Sequence, residues 1–516
     1  MARNVKFKMG PRLTRIAPFA SIIGLAACSG VLGIEDLHQG PAPGAGAGGD
    51  ISGGGDLSTG GDLANAGGTQ VGNGGQGQGG ANGGNGATTA GSGAVGEAGD
   101  TNIGEAGVGG GASSGTVTGH VIDYWGHKIT GIPVQIGATL VTTDDQGAFT
   151  IPSVAAEYDV SLVVDFSGDF PRETYGWVFQ GLTRRDPTLQ VYAGIAKQSG
   201  NIVITPTNAT MTATSTLSVA LGGPDGSEEY TEVEANGIQT DTGWRGPATT
   251  QERAHGLLWS NDATSSLPNS YIGYDTALVA LSNTTDMAMI NLNLKATATI
   301  PTGNIVGKVT PATSTDREND LFLRFTSGAE IELAADTTGP NTFTYLVPTL
   351  ANGSTTLAAV EGNAYFGSYA VAHKDGLAAG ATGITATIPT PAKPLTPMDG
   401  AVNVDGTSQF TFLAGAGNPG AYVVSMIAED FYDGLYVVTA QKTFKVPVVA
   451  GGAYAFGSTH KYVWRVETHD SYATVDSMSG PTGFMDEFSG DDTSPTGPHT
   501  GDGSFTISQS NEFTAK

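Results

Sequence analysis

Short runs in which apolar and polar residues alternate recur from Thr116 to the C-terminus, and turns separate them. Tyr158, Val160, Leu162 and Val164 form one such run. Because successive side chains of a strand point to opposite faces of a sheet, alternation of this kind indicates half-buried β-strands. Strands spaced about 8–12 residues apart are typical of antiparallel sandwiches and barrels. The sequence therefore predicts an all-β fold built from tandem antiparallel β-sandwich modules.

The segment before Thr116 has a different composition. Between Pro41 and Gly115, 30 of 75 residues are glycine, and none is lysine, arginine or aromatic. Such a segment cannot bury enough apolar surface to offset the entropy of ordering its backbone. We therefore predict a disordered Gly-rich tether over residues 28–115.

Composition argues against several classes of protein. The net charge of −26 disfavours a nucleic-acid-binding protein, which needs a basic surface. The single cysteine precludes an intramolecular disulfide, a Cys-rich zinc site and an iron–sulfur cluster. No run of about 18 apolar residues is present, which argues against an integral helical membrane protein. Neither a metal site nor a cofactor is predicted.

The N-terminal 27 residues have the pattern of a secretory signal. Five basic residues and no acidic residue precede Ile16, and a short apolar run extends from Ile16 to Ala27. The run ends in Leu25, Ala26, Ala27 and Cys28, which resembles the lipobox of bacterial lipoproteins.

The lipobox resemblance implies that Cys28 receives a diacylglycerol group, that the chain is cut before Cys28, and that the new amine is acylated. Two or more acyl chains would hold the protein on a membrane. Ser29, rather than aspartate, favours the outer membrane by analogy with the family. The alternative is an ordinary secretory signal with a cysteine there by chance.

Residues 116–200 resemble a carboxypeptidase regulatory-like domain, a transthyretin-type sandwich of seven strands. The resemblance depends on Gly119–Val121, Gly131–Val134 and above all Thr143–Pro152, whose pattern T-D-x-x-G-x-F-x-I is typical of a hairpin in that family. Such domains are non-catalytic. No histidine of this chain has glutamate three residues further on, as a metallopeptidase site would require.

The remaining sequence divides at a proline-rich boundary between Pro389 and Pro397. Residues 201–300 form a β-rich domain of unclear type, in which Gln251–Trp259 is compatible with one or two helical turns. Residues 301–390 are predicted to form a β-sandwich, and the resemblance of Gly303–Val309 to Thr116–Val121 suggests a degenerate repeat of the first. Residues 391–516 resemble a fibronectin type III-like sandwich.

Few residues suggest a binding site. Trp125 and Trp177 are the tryptophans closest to predicted turns and could stack on a sugar, although buried aromatic residues are commoner in sandwiches. No catalytic set of residues can be identified from the sequence.

We therefore expect a lipid-anchored protein of the cell envelope, at the outer membrane and facing either the surface or the periplasm. Its role would be structural, adhesive or binding, with proteins or glycans as partners besides the membrane itself, and without nucleic acid. The alternative is an extracellular hydrolase or carbohydrate-binding accessory protein with its site in residues 200–390.

Overall fold

The computed structural model describes most of the chain after residue 113. Residues 1–113 lie outside the described residues, and they include the predicted signal peptide, Cys28 and the predicted tether up to residue 113. The tether was predicted to end at residue 115, but Gly115 already belongs to the first strand. The described residues are 114–123, 126–166, 173–191, 197–223, 226–230, 233–245, 247–284, 287–295, 300–310, 317–362, 367–415, 420–429, 433–447, 449, 456–457, 459–470, 472–484 and 502–516.

Three consecutive segments each form seven strands. The first repeat contains β1 (Gly115–Ile122), β2 (Pro133–Ile136), β3 (Thr139–Thr142), β4 (Ala148–Val154), β5 (Tyr158–Phe166), β6 (Glu173–Leu182) and β7 (Thr188–Gln190). The second repeat contains β8 (Lys197–Thr207), β9 (Ser215–Gly223), β10 (Gly226–Tyr230), β11 (Ile238–Arg245), β12 (Thr249–Asn261), β13 (Pro268–Ser282) and β14 (Ala288–Asn293). The third repeat contains β15 (Thr302–Thr310), β16 (Arg317–Phe325), β17 (Glu330–Asp336), β18 (Thr342–Pro348), β19 (Gly353–Gly362), β20 (Tyr369–Leu377) and β21 (Thr382–Thr387).

The three repeats have the same topology, strand for strand. In the first, a small sheet has the order β4-β1-β7, with β4 antiparallel and β7 parallel to β1. Its other layer has the order β3-β2-β5-β6, all antiparallel. The second and third repeats reproduce both layers, as β11-β8-β14 with β10-β9-β12-β13, and as β18-β15-β21 with β17-β16-β19-β20.

The C-terminal segment forms a sandwich of a different kind. Its elements are β22 (Lys393–Thr396), β23 (Ala401–Val404), β24 (Gln409–Leu413), β25 (Tyr422–Ala428), β26 (Asp433–Thr439), β27 (Thr443–Lys445), β28 (Lys461–His469), the one-turn helix α1 (Val475–Met478), β29 (Gly503–Ile507) and β30 (Asn511–Ala515). A small sheet β22-β24-β27 faces the layer β30-β28-β25-β26, and β23 runs parallel to β30.

Two seams join the repeats to the C-terminal sandwich. Strand β26 pairs in parallel with β6 of the first repeat, so that Tyr436 lies opposite Trp177. Strand β29 pairs with β20 of the third repeat on one side and with β28 on the other. The two seams merge the larger layers of three sandwiches into one sheet of 14 strands.

The strands beside the first seam are buried on both faces. Alternate residues of β6 face opposite cores: Tyr175, Trp177 and Phe179 pack in the core of the first repeat, whereas Val178 packs in the core of the C-terminal sandwich. The small sheets of the two sandwiches therefore cover opposite faces of the shared sheet. Burial on both faces explains the continuous apolar runs in β25 and β26, which do not alternate.

The prediction of an all-β fold with antiparallel sandwiches is confirmed over the described residues. Within them, no helix is long and apolar enough to cross a membrane. The helical expectation for Gln251–Trp259 is wrong, because these residues belong to β12. The turn at Thr143–Gly147 also differs from a hairpin: β3 before it and β4 after it belong to different sheets.

Replacing Trp177 by alanine should destabilise the protein strongly. The indole is 0% exposed and stacks on the Tyr436 ring across the first seam, with centroids 4.2 Å apart. Loss of so large a buried side chain costs about 3–5 kcal/mol of unfolding free energy. Urea unfolding of both proteins measures this loss.

The matched control is Leu140→Ala on the edge strand β3, where the leucine is 52% exposed. This control should change the unfolding free energy by less than about 0.5 kcal/mol. Equal effects of the two substitutions would contradict the role that we assign to the seam.

Candidate functional site

Of the residues that the sequence singled out, Trp177 lies within the described part of the chain. Leu25, Ala26, Ala27 and Cys28 lie outside the described residues, and so does Trp125. Trp177 lies in the middle of β6 and is completely buried. The expectation that its ring stacks on a sugar is corrected accordingly: both ring faces belong to the core.

A polar cleft of about 470 Å³ lies where the first repeat meets the C-terminal sandwich. Its floor is the part of the shared sheet at the margin of the small sheet β22-β24-β27, where Val178 and Ser161 are buried and Gln135 is half-buried. Ser161 on β5 lies opposite Gln135 on β2 and opposite Val178 on β6, so these three residues form a row across the floor. Gln180 extends the same face of β6.

The wall of the cleft comes from the C-terminal sandwich. It consists of Gln441, which follows β26, then Phe444 and Lys445 of β27, and the two residues after them, Val446 and Pro447. We call the cleft, with its floor and this wall, the polar ledge. The floor and the wall lie at least 261 positions apart in the chain, the separation of Gln180 and Gln441, and the first seam brings them together.

Hydrogen bonds hold some side chains of the ledge in place, whereas the side-chain oxygen of Gln180 has no donor among the described residues. Gln135 Nε2 donates to the Gly137 carbonyl oxygen at 2.7 Å, and Asp159 Oδ1 accepts from the Gly181 amide at 2.8 Å. Gln180 Oε1 is buried but accepts no hydrogen bond from the described residues. A buried carbonyl oxygen without a donor is uncommon. Because this oxygen has almost no accessible surface, a ligand in the cleft would reach it only after the Gln180 side chain had moved.

A second polar group lies between the second and third repeats. The β16–β17 turn, Thr326–Ala329, packs on the second repeat, where Ala329 contacts β9. A Cβ on Gly222 would lie only 2.1 Å from the Ala329 nitrogen, so this close approach requires glycine. His255 of β12 stacks on Phe325 next to the turn, with ring centroids 3.8 Å apart.

His255 connects a serine and a tyrosine. Its Nε2 lies 3.0 Å from Ser327 Oγ, and its Nδ1 lies 2.9 Å from the Tyr274 hydroxyl. A nucleophile, a base and an orienting group are arranged in this order in serine hydrolases.

The electrostatics oppose a catalytic role for His255. Burial, aided by the positive charge of Arg253, lowers the pKa of His255 to about 4. Burial also raises the pKa of Tyr274 to about 12, so the orienting group is a neutral phenol rather than a carboxylate. A general base works best with a pKa near the operating pH, and an imidazolium needs a nearby anion. The three residues therefore form a hydrogen-bonded contact between repeats.

Charged residues at the base of the same hairpin form a buried cluster. Arg324 Nε donates to Glu330 Oε2, and Arg324 Nη1 lies 3.3 Å from Asp375 Oδ1, which also accepts from Thr356 Oγ1 at 2.8 Å. Burial raises the pKa of Glu330 to about 7, although Arg324 opposes the shift. The Arg324 guanidinium thus pairs with the carboxylates of both Glu330 and Asp375 in a buried site, where charged side chains are unfavourable.

Across the described ranges, no group of three or more His, Cys, Asp or Glu side chains is placed to hold a metal ion. The polar ledge is therefore the arrangement that we take as the candidate functional site. It offers hydrogen-bonding groups of both kinds, in a volume that lies within the usual range for small-ligand clefts.

Comparison with known proteins adds little to this geometry. No family model matches the chain, and no curated protein matches it. Among solved structures, it is similar to the Bacillus anthracis TIE protein, with 10% identity over 53% of this chain and 50% of that chain, at a TM-score of 0.13. It is also similar to the pilus adhesin SpaC from Lactobacillus rhamnosus GG, with 9% identity over 69% of this chain and 49% of that chain, at a TM-score of 0.13.

The chain spans about half the length of these two structures. At such TM-scores the superpositions do not specify a function.

The contribution of His255 to stability should depend on pH. Its pKa is lowered from 6.5 to about 4 on folding, so the unfolded chain binds a proton at a higher pH than the folded chain does. The stabilisation is therefore present above pH 6.5 and is lost as the pH falls towards 4. The loss should reach at most about 3 kcal/mol.

His255→Gln, which has no titrating group, should lose less unfolding free energy than the wild type over this range. Urea unfolding at several pH values measures the difference. Glu330→Gln is the control of opposite sign: because burial raises the pKa of Glu330, the wild type should gain stability relative to this variant as the pH falls from about 7 to 4.5. Parallel curves for wild type and His255→Gln would show that the imidazole does not titrate as inferred.

Proposed function

We propose that this chain is a lipid-anchored cell-envelope protein with a non-catalytic role, holding β-sandwich surfaces in place for structural, adhesive or binding purposes. The observation that carries the proposal is the pair of seams, β6–β26 and β20–β29. Hydrogen-bonded strands, rather than flexible linkers, connect three of the sandwiches. The second repeat is held by the packing of Leu257, Trp259 and Tyr271 in the core of the third.

The family resemblances fit this proposal. The first repeat has seven strands in two layers, which agrees with a carboxypeptidase regulatory-like domain. Because the second and third repeats have the same topology, we extend this proposal to them. The layers β22-β24-β27 and β30-β28-β25-β26 agree with a fibronectin type III-like sandwich. The resemblance to carboxypeptidase regulatory-like domains, which are non-catalytic, supports the non-catalytic role.

The alternative, a hydrolase within residues 200–390, has one specific observation in its favour, the order Ser327, His255 and Tyr274. It would need the imidazole to take a proton from Ser327 near neutral pH. With a pKa of about 4, His255 is too weak a base for this step. We therefore favour the non-catalytic role.

Anchoring is proposed to occur through Cys28, and the outer membrane is the proposed location. Cys28→Ala removes the thiol that lipidation requires, so the variant should move from the membrane fraction to the soluble fraction. Ser29→Ala, which keeps the thiol, is the matched control and should remain with the membranes. Membrane association of Cys28→Ala equal to that of the wild type would overturn the anchor.

Protease treatment of intact cells then determines the face of the membrane. Loss of the sandwich domains from intact cells would place them at the surface. Full protection, with membrane association retained, would place them in the periplasm.

A further inference from the structure

The second repeat lacks a strand pairing that the other two repeats both have. In the first repeat, β6 pairs with β5 on one side and with β26 on the other. In the third repeat, β20 pairs in the same way with β19 and β29. Strand β13 has the equivalent place in the second repeat, but β12 is its only partner among the described strands. Its other edge is therefore the position at which both sister repeats take up a further strand.

The second half of β13 has none of the usual protection of an edge strand. Such strands avoid association by being short, by carrying charged residues or proline, or by a bulge. Strand β13 pairs with β12 in continuous register from Gly273 to Ser282, without a bulge. At other free edges of the larger layers, β3 is only four residues long, and β10 and β17 contain acidic residues.

The outward row of this half is uncharged. Val279 and Leu281 point into the core of the second repeat, so the residues between and beside them face outwards. The outward residues are Thr276, Leu278, Ala280 and Ser282. Leu278 is 63% exposed, an unusual state for a leucine in the middle of a regular strand.

The neighbouring residues confine a partner to this half of the strand. At the beginning of β13 the outer face packs on the third repeat, where the Tyr271 hydroxyl donates to the Leu346 carbonyl oxygen at 2.9 Å. Beside the later half, the edge strand β14 carries the exposed side chain of Met289, and Met287 just before it is exposed as well. This side of the second repeat thus presents three large apolar side chains to solvent.

Local charge allows two copies of this edge to meet. Asp275 is the one charged residue of β13, and its carboxylate accepts from the Asn293 amide at 2.7 Å. The nearest charge on the outer face of β12 is basic: Arg253 Nη1 donates to Thr276 Oγ1 at 3.2 Å. Self-pairing would therefore bring no carboxylates opposite each other, although the net charge of −26 opposes association at low salt.

We propose that two copies of this chain associate through β13, with the two strands antiparallel and the Leu278 residues of both copies opposite each other. An antiparallel pair about a twofold axis uses the same edge of both copies, so one free edge is sufficient. In this register Thr276 of each copy faces Ala280 of the other, and each outward residue meets an uncharged one. The proposal goes beyond the proposed function and does not depend on the anchor at Cys28.

The first test measures association of the full-length protein with Cys28→Ala by sedimentation velocity over a wide range of concentrations. A dimer should form as the concentration rises, and added NaCl should favour it because salt screens the repulsion between copies. Leu278→Lys places two ammonium groups opposite each other and removes the apolar contact, so it should raise the dimer Kd at least about tenfold. Because Leu278 is exposed, this variant should keep the Tm of its parent.

Leu140→Lys is the matched control, because Leu140 is 52% exposed on the edge strand β3 of the first repeat. This control should dimerise like its parent. A parent protein that stays monomeric at every concentration, or equal weakening by Leu278→Lys and Leu140→Lys, would overturn the proposal.

The second test examines the register directly. Cys28 is the only cysteine, so the double variant Cys28→Ala, Leu278→Cys has a single thiol. Residues directly opposite in antiparallel strands have Cα atoms about 4.5–5.5 Å apart, a separation that a disulfide spans. Oxidation of the two thiols by dissolved oxygen should therefore link the copies covalently, whereas Cys28→Ala, Leu140→Cys should stay unlinked. The absence of a link at Leu278→Cys, or equal linking at both positions, would contradict the proposed pairing.

Discussion

The parallel pairing of β26 with β6 is the interaction on which the rest of the structure depends. It brings Tyr436 onto Trp177 and makes β6 part of two cores at once. Because the small sheets cover opposite faces of the shared sheet, each covers only part of its width. The margin of the covered region, beside β27, becomes the floor of the polar ledge. The pairing of β26 with β6 thus determines both how the two sandwiches share a sheet and where the candidate site lies.

The sequence predicted strands well where one face of a sheet meets solvent, and poorly where both faces are buried. Phe343, Tyr345 and Val347 of β18 alternate with less buried residues, and the strand is evident from that pattern. In β12, Leu257 packs towards the third repeat and Leu258 packs towards the core of its own repeat. In such a strand, apolar and polar residues no longer alternate. The sequence of Gln251–Trp259 is therefore compatible with a helix as well, and it does not reveal the topology of the second repeat.

The candidate site could not be predicted, for a related reason. Gln180 and Gln441 are unremarkable polar residues, and only the seam brings them to one cleft. The sequence places Trp177 near predicted turns, but its position opposite Tyr436 depends on the pairing of strands that are distant in the chain. The lipobox is the opposite case: four adjacent residues, Leu25–Cys28, carry the whole inference, so no long-range pairing is needed to make it.

The contact between the second and third repeats contains two titrating groups whose effects on stability oppose each other. As the pH falls from 6.5 towards 4, the neutral His255 that bonds Ser327 is lost as a stabilising group. As the pH falls from about 7 to 4.5, the unfavourable buried charge of Glu330 is relieved. Both groups belong to the contact made by one hairpin, Ser327 at its tip and Glu330 at its base. Since the two pH ranges overlap, protonation of Glu330 opposes the destabilising effect of protonating His255 in mildly acidic surroundings.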